Sequence, residues 1–153
     1  MKFPLSLTCV FIVAFMASCG VSPGKKKQKE LARMIVNDEY FAFTKKKALE
    51  VMKTGFNAGD GYREVWIRDY NTFIKLASEV FPGEDLKENL LVFFRMQGAD
   101  GNIIDGFTPA EQISGDKSDF IYSELEPRYA GHKNTVETDQ ESSLVQAVYK
   151  YVK

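Results

Sequence analysis

The feature that most constrains the fold is a helical repeat of apolar residues that follows residue 71. Apolar side chains recur there every three or four positions, at Phe73, Ile74, Leu76, Ala77, Val80 and Phe81. This spacing predicts a helix that buries one broad face. Residues 62–71, just before it, mix aromatic, apolar and charged side chains without the pattern of a surface helix. We therefore expect Trp66, Arg68 and Asp69 to lie where a loop enters the N-terminal end of a core helix.

Three further segments carry the same kind of pattern. Residues 30–54 predict helix with one break near residues 37–38, and Gly55 is placed to end it. Residues 84–97 predict a second helix after the breaker Pro82-Gly83, and residues 138–153 predict another. Residues 100–134 have no such period and are expected to form a long loop. The predicted fold class is therefore all-α.

The residues at the first helix entrance suit sugar binding. The indole of Trp66 offers a flat apolar face to the C–H side of a pyranose, while Arg68 and Asp69 offer fixed donors and acceptors to its hydroxyls. The N-terminal end of a helix adds unpaired N–H groups. A simpler interpretation is also open, in which Arg68 and Asp69 cap and pair locally and Trp66 fills the core.

Residues 65–70 read Val-Trp-Ile-Arg-Asp-Tyr, and this string resembles the W-x-R-D signature of the six-hairpin glycosidases, the α/α-barrel group with glucoamylase-like and debranching-type members. The resemblance extends over about residues 40–153. It implies antiparallel helical hairpins that form about two of the six in an (α/α)6 toroid. It also implies that Trp66, Arg68 and Asp69 bind the non-reducing-end sugar, and Tyr70, which follows the motif directly, is predicted to bind substrate with them.

The last predicted helix supplies a second set of polar residues. Thr138 and Glu141 fit a capping box, which leaves Glu137, Asp139 and Gln140 at the helix entrance. If both helix entrances point the same way, these three residues join the substrate-binding set. An inverting glycosidase also needs an acid and a base about 6.5–9.5 Å apart. In six-hairpin enzymes that pair generally comes from later hairpins, so the acid and base are left unassigned here, with Asp69 and Asp139 as candidates.

The resemblance leaves three functions open. The first is an exo-acting glycoside hydrolase, which hydrolyses O-glycosyl bonds. The second is a phosphorylase or lyase on the same barrel, and the third is a non-catalytic helical lipoprotein that binds glycan or protein. A complete toroid needs well over ~200 residues, so the chain is expected to be the N-terminal fragment of a longer protein, inactive alone.

The N-terminal sequence predicts export. Lys2, an apolar run over residues 3–15 and the small residues before Cys19 have the anatomy of a secretory signal. The pattern at residues 16–19 resembles the lipobox of bacterial lipoproteins, which implies lipidation at Cys19; a soluble secreted protein cut near the same place is the alternative. The predicted divisions are residues 1–19 as signal, 20–38 as tether and lead-in, and 39–153 as the glycosidase-like domain. The predicted location is the bacterial cell envelope, with the chain held on the membrane by its lipid.

Charge and residue types limit the kinds of partner that the chain is expected to bind. The net charge is −1 and the basic residues form no stripe beyond the tether, so we expect a carbohydrate partner and no nucleic acid. Residues 100–111 superficially resemble a calcium loop, but Ile104 stands where an oxygen ligand is needed. His132 is the only histidine and has no soft ligands near it in the sequence. No metal and no cofactor are predicted.

Overall fold

The computed structural model describes residues 23–57, 59, 61–132 and 138–153. In this part of the chain there are five α-helices, four short strands and one 3-10 turn. The chain divides into two compact units, an N-terminal unit of residues 1–45 and a C-terminal unit of residues 46–153. No helix among the described residues is both long enough and apolar enough to cross a membrane.

The N-terminal unit contains helix α1 (Pro23–Val36) and the start of helix α2 (Glu39–Met52). The break between them falls at residues 37–38, as the sequence predicts. Its physical cause is Asp38, whose Oδ1 accepts hydrogen bonds from the backbone N–H of Tyr40 at 2.8 Å and of Phe41 at 3.4 Å. The lysines of the predicted tether belong to α1, which begins at Pro23, in the first-turn position that suits proline.

Three helices form the framework of the C-terminal unit: α3 (Ile67–Ala77), α4 (Gly83–Arg95) and α5 (Gln140–Val152). Helices α4 and α5 lie where the apolar period predicts them, whereas α3 begins at Ile67, before the predicted residue 71, and ends at Ala77, before Val80 and Phe81. After α2 ends, Gly55 has a φ of +138°, which explains why glycine stands at this helix exit.

Helix α3 packs on α5, and α4 packs on both. Near the start of each helix Arg68 meets Asp139, and farther along Asn71 meets Gln146 and Lys150, so α3 and α5 run in the same direction. Helix α4 begins near the end of α5, where a Cβ on Gly83 would lie 3.9 Å from the hydroxyl of Tyr151, and it therefore runs the opposite way.

A four-stranded antiparallel sheet corrects the all-α prediction. Its strands are β1 (Val65–Trp66), β2 (Gly106–Pro109), β3 (Phe120–Ile121) and β4 (Tyr129–His132), in the order β1-β2-β4-β3. Three of the four lie in the stretch that was predicted as loop, and the turn Ala110–Gln112 follows β2. Strands of two to four residues are too short to show a period of two, so the sequence pattern did not reveal them.

The core of the C-terminal unit lies between the three helices and the sheet. Its largest fully buried side chains include Tyr70, Ile74, Leu86, Phe93 and Ile104. The hydroxyl of Tyr70 donates a hydrogen bond to the backbone carbonyl of Leu86 at 2.9 Å. Burial raises the pKa of Tyr70, so the phenol stays neutral and remains a donor.

A buried carboxylate joins α4 to the segment before β4. Glu126 is 2% exposed and accepts hydrogen bonds from Arg128 at 2.7 and 2.8 Å and from Arg95 at 2.9 Å. The hydrogen bonds from Arg128 are the main reason that the pKa of Glu126 lies below its usual value; burial opposes this and Arg95 reinforces it. The ion pair of Glu126 with Arg128 thus helps to hold the segment before β4 against α4.

Candidate functional site

The candidate site is the rim formed by the first turns of α3 and α5 and by the adjacent ends of β1 and β4. Arg68 Nη1 and Asp139 Oδ1 lie 3.9 Å apart, with side chains 41% and 54% exposed. An ion pair this exposed contributes little to stability, about 0–1 kcal/mol. Its two charged groups therefore face solvent at the meeting point of two helix N-terminal ends, where backbone N–H groups are also concentrated.

Trp66 lies at the end of β1, immediately before α3, and forms the aromatic part of the rim. Its ring stacks on the imidazole of His132 with centroids 5.7 Å apart and planes at 30°. Gly106 is its neighbour on β2, and a Cβ there would lie 3.2 Å from Trp66 Cδ2 and Cε3. The glycine therefore lets the indole lie close against the sheet backbone.

The indole of Trp66 is half-buried. Its Nε1 is buried and makes no hydrogen bond within the described part of the chain. A buried donor without an acceptor costs about 1–3 kcal/mol. The rim therefore holds an indole N–H whose hydrogen-bonding capacity the described residues leave unused.

Asp105 holds the elements of the rim together through three hydrogen bonds. Its backbone N–H donates to the His132 carbonyl at 2.7 Å, and its carbonyl accepts from the N–H of Ile67 at 2.8 Å. Its buried carboxylate accepts a hydrogen bond from the side-chain amide of Gln140. One residue thus connects β4 to the first turn of α3 and to the first residue of α5, and the relative position of Arg68 and Asp139 follows from these bonds.

The start of α5 does not form the predicted capping box. The residue before the helix is Asp139, and it makes no side-chain capping bond. Glu141 instead accepts a hydrogen bond from the backbone N–H of Ile103 at 3.0 Å. Because Ile103 is 3% exposed, its N–H needs a protein partner, and this tertiary bond takes the carboxylate that the local motif would have used.

The structure brings some of the predicted substrate-binding residues together and separates others. Trp66, Arg68 and Asp139 belong to the rim, and Asp69 is exposed on the first turn of α3 beside it. The prediction that Tyr70 binds substrate requires correction, because its side chain is fully buried and its hydroxyl donates a hydrogen bond to the carbonyl of Leu86. Helix periodicity explains this, since Tyr70 shares its face with Ile67 and Ile74.

Gln140 also requires correction, because it is 1% exposed and supports the rim through Asp105. It therefore positions α5 and does not itself face solvent. Glu137, predicted as a substrate contact, and Cys19, predicted as the lipidation site, lie outside the described residues.

Sequence reasoning missed three residues that shape the rim, namely Asp105, Gly106 and His132. All three lie in the stretch 100–134, whose lack of helical period gave no indication of what it packs against. The single signal was residue type, because His132 is the only histidine in the chain. Its role as the ring beneath Trp66 depends on the pairing of β2 with β4, which no local pattern encodes.

The rim combines an aromatic face, a guanidinium and a carboxylate, which suits a polyhydroxylated ligand. Within residues 23–57, 59, 61–132 and 138–153, no group of three or more His, Cys, Asp or Glu side chains could hold a metal ion. Comparison of the chain with protein family models, with curated proteins and with solved structures found no match.

Proposed function

We propose that this protein binds carbohydrate at the rim and that it is a glycoside hydrolase-like protein of the six-hairpin type. The observation that carries the proposal is the approach of Arg68 to Asp139, 3.9 Å apart although distant in sequence, at two adjacent helix entrances that also hold Trp66. The W-x-R-D string implies such a pocket, and Asp139 adds a carboxylate to it from the next parallel helix.

The course of the helices supports the finer (α/α)6 assignment. In a toroid of helical hairpins the inner helices run in one direction and each outer helix returns the chain to the starting end. Helices α3 and α5 run in the same direction, and α4 runs back between them. With α3 and α5 as inner helices, the rim lies at the end of the toroid where their N-termini meet.

Each rim residue has a role in the proposed pocket. The exposed part of the Trp66 ring would pack against the C–H face of a pyranose, and Arg68 would donate to its hydroxyl oxygens. The Asp139 carboxylate would accept from hydroxyl groups, with Asp69 as a second acceptor. The proposed reaction class is hydrolysis of an O-glycosyl bond, and its general acid and base remain unassigned.

The proposed setting follows from the N-terminal sequence. Residues 16–19 resemble a lipobox, so we propose that Cys19 carries lipid and that the protein works on the outer side of a bacterial membrane. The sugar-binding proposal does not depend on this anchor.

Titration calorimetry of the full chain against neutral disaccharides tests carbohydrate binding. Arg68→Met and Asp139→Asn remove one charged group each, and each should weaken binding of the sugar that binds by about tenfold, equivalent to ~1.4 kcal/mol. Because the Arg68–Asp139 pair is exposed, neither variant should lower the free energy of unfolding by more than about 1 kcal/mol. Trp66→Ala should abolish binding.

Lys87→Met is the matched control, since Lys87 is an exposed cation paired with Glu84 at 3.2 Å in the first turns of α4, and it should leave the affinity unchanged. The proposal fails if no saccharide in the panel binds, or if a saccharide binds with the same affinity to the Arg68 and Asp139 variants.

A further inference from the structure

Helix α1 has two faces of opposite chemistry. Its sequence contains five basic side chains and one acidic side chain. On a helical projection Lys25, Lys26, Lys29 and Arg33 fall on one side, together with Val36. Leu31, Met34 and Ile35 fall on the other side, where Lys27 lies one turn before Leu31. All residues from 24 to 36 are exposed, those of the apolar face included.

The exposure of this apolar face is large. Leu31 is 57% exposed, Met34 67% and Ile35 49%. With Asp38 and Phe41 these three residues line a shallow groove in the N-terminal unit. Three large apolar side chains exposed together on one helix face mark an interaction surface better than isolated exposed residues would.

The positive charge of α1 indicates which kind of partner covers its apolar face. The whole chain has a net charge of −1, so the positive charge of α1 is local and is outweighed by acidic residues elsewhere. A helix with lysine and arginine on its polar face and large apolar residues on the other is typical of helices that lie in a membrane interface. Anionic headgroups then attract the basic side chains while the apolar face enters the acyl boundary.

We propose that α1 lies on the surface of an anionic lipid bilayer, with Leu31, Met34 and Ile35 inserted and the basic residues at headgroup level. The contact rests on α1 alone. It depends neither on lipidation of Cys19 nor on carbohydrate binding, so its failure would leave both of those proposals untouched.

A depth-sensitive fluorophore on α1 tests the proposal in the full chain. The chain has two cysteines, Cys9 and Cys19, and replacing both by serine leaves one introduced thiol as the only labelling site. Met34→Cys places the label on the apolar face, and Lys29→Cys places a matched label on the basic face. With vesicles of equal parts phosphatidylcholine and phosphatidylglycerol, the label at position 34 should shift to the blue and be quenched by lipids brominated in the acyl chain. The label at position 29 should do neither.

Charge removal gives an independent readout from the same label. Lys25→Gln, Lys26→Gln and Lys29→Gln together should weaken the vesicle-dependent signal at position 34 on the order of 100-fold, roughly fivefold for each charge removed. Raising the salt to about 1 M, where screening acts over about 3 Å, should weaken it in the same direction. The control replaces the exposed Lys75, Lys87 and Lys117 of the C-terminal unit by glutamine and should leave the signal unchanged.

Three results would overturn the proposal. The label at position 34 could remain in water with anionic vesicles, or it could respond equally to pure phosphatidylcholine. It could also be buried before any vesicle is added, which would mean that a protein surface, such as a second copy of the chain, covers the face.

Discussion

At the scale of single residues, one short string, residues 66–70, supplies side chains to both the rim and the core. Trp66, Arg68 and Tyr70 stand within five positions, yet Trp66 stacks on His132, Arg68 faces Asp139 and Tyr70 is buried against Leu86. The interpretation of this string as core and local pairing is thus partly correct, and sugar binding stays a prediction. The aromatic residue that fills the core is Tyr70, and Arg68 pairs with a carboxylate that is not its sequence neighbour.

The buried Glu126 should make stability depend on pH. Its folded pKa lies below the usual value because of Arg128 and then Arg95, so its contribution is present above a pH of about 4.3 and is lost as pH falls through the lower folded pKa. Glu126→Gln should lower the free energy of unfolding by about 1–2 kcal/mol at neutral pH. It should also make the free energy of unfolding decrease less steeply as pH falls below about 4.3. Urea unfolding at a series of pH values measures both effects.

Glu124→Gln is the control, because this exposed carboxylate lies two residues away in the same segment. It should change neither the free energy of unfolding at neutral pH nor the shape of the acid limb. An acid limb of Glu126→Gln that matches the parent chain would contradict the assigned role.

Gly131 should tolerate no side chain. A Cβ there would lie 2.8 Å from Ile104 Cγ2 and 3.2 Å from Met96 Cε, inside the core. Gly131→Ala should therefore lower the free energy of unfolding by about 1–3 kcal/mol through overpacking. Gly61→Ala is the matched change, since no atom of the described residues lies within 4 Å of its Cβ position, and thermal or urea unfolding should separate the two variants clearly.

At the scale of elements, helix ends decide how α5 is held in place. Glu141 bonds to the buried N–H of Ile103, and Asp139 makes no side-chain cap. Glu141→Ala should therefore lower the free energy of unfolding by about 1–3 kcal/mol by removing this bond to a buried N–H, while Thr138→Ala should change the free energy of unfolding by less than about 0.5 kcal/mol.

If the capping box predicted from the sequence were present, the two variants would rank differently in their loss of free energy of unfolding. Loss of the threonine would then cost about 1 kcal/mol, comparable to the loss of the glutamate. Urea unfolding of the two alanine variants side by side distinguishes a local cap from the tertiary bond.

The elements that could be predicted are those whose sequence pattern lies within the element itself. The apolar periods of α4 and α5 and the break at Asp38 are visible in the sequence and match the structure, and the period at residues 73–81 predicts α3 with its start and end placed about four to six residues too late. The sheet could not be predicted, because the pairing of β1 with β2 joins residues that are far apart in the chain and each strand offers two to four residues of pattern. The site followed the same division: Trp66 and Arg68 were recognisable from the string, whereas Asp105 and His132 required the sheet.

At the scale of the whole molecule, the two units differ in how their helices are stabilised. Every residue of α1 from 24 to 36 is exposed, whereas α3 buries Ile67, Tyr70, Ile74 and Ala77. Helices that bury few side chains open at low free energy. In solution without lipid, amides of α1 should exchange with deuterium orders of magnitude faster than those of α3 and α5.

Hydrogen exchange read by mass spectrometry of peptides measures this difference. Peptides from residues 140–152 serve as the internal reference, because α5 buries Gln140, Ser143, Leu144 and Ala147. Equal protection of α1 and α5 would show that further contacts stabilise α1 in solution.

The stack of Trp66 on His132 has an optical consequence. The chain has one tryptophan and one histidine, and they are the two stacked rings of the rim. Indole emission excited apart from the tyrosines therefore originates from this one place. A sugar that covers the ring changes the surroundings of the only strong emitter. The protein carries its own fluorescent reporter at the point where a ligand is expected.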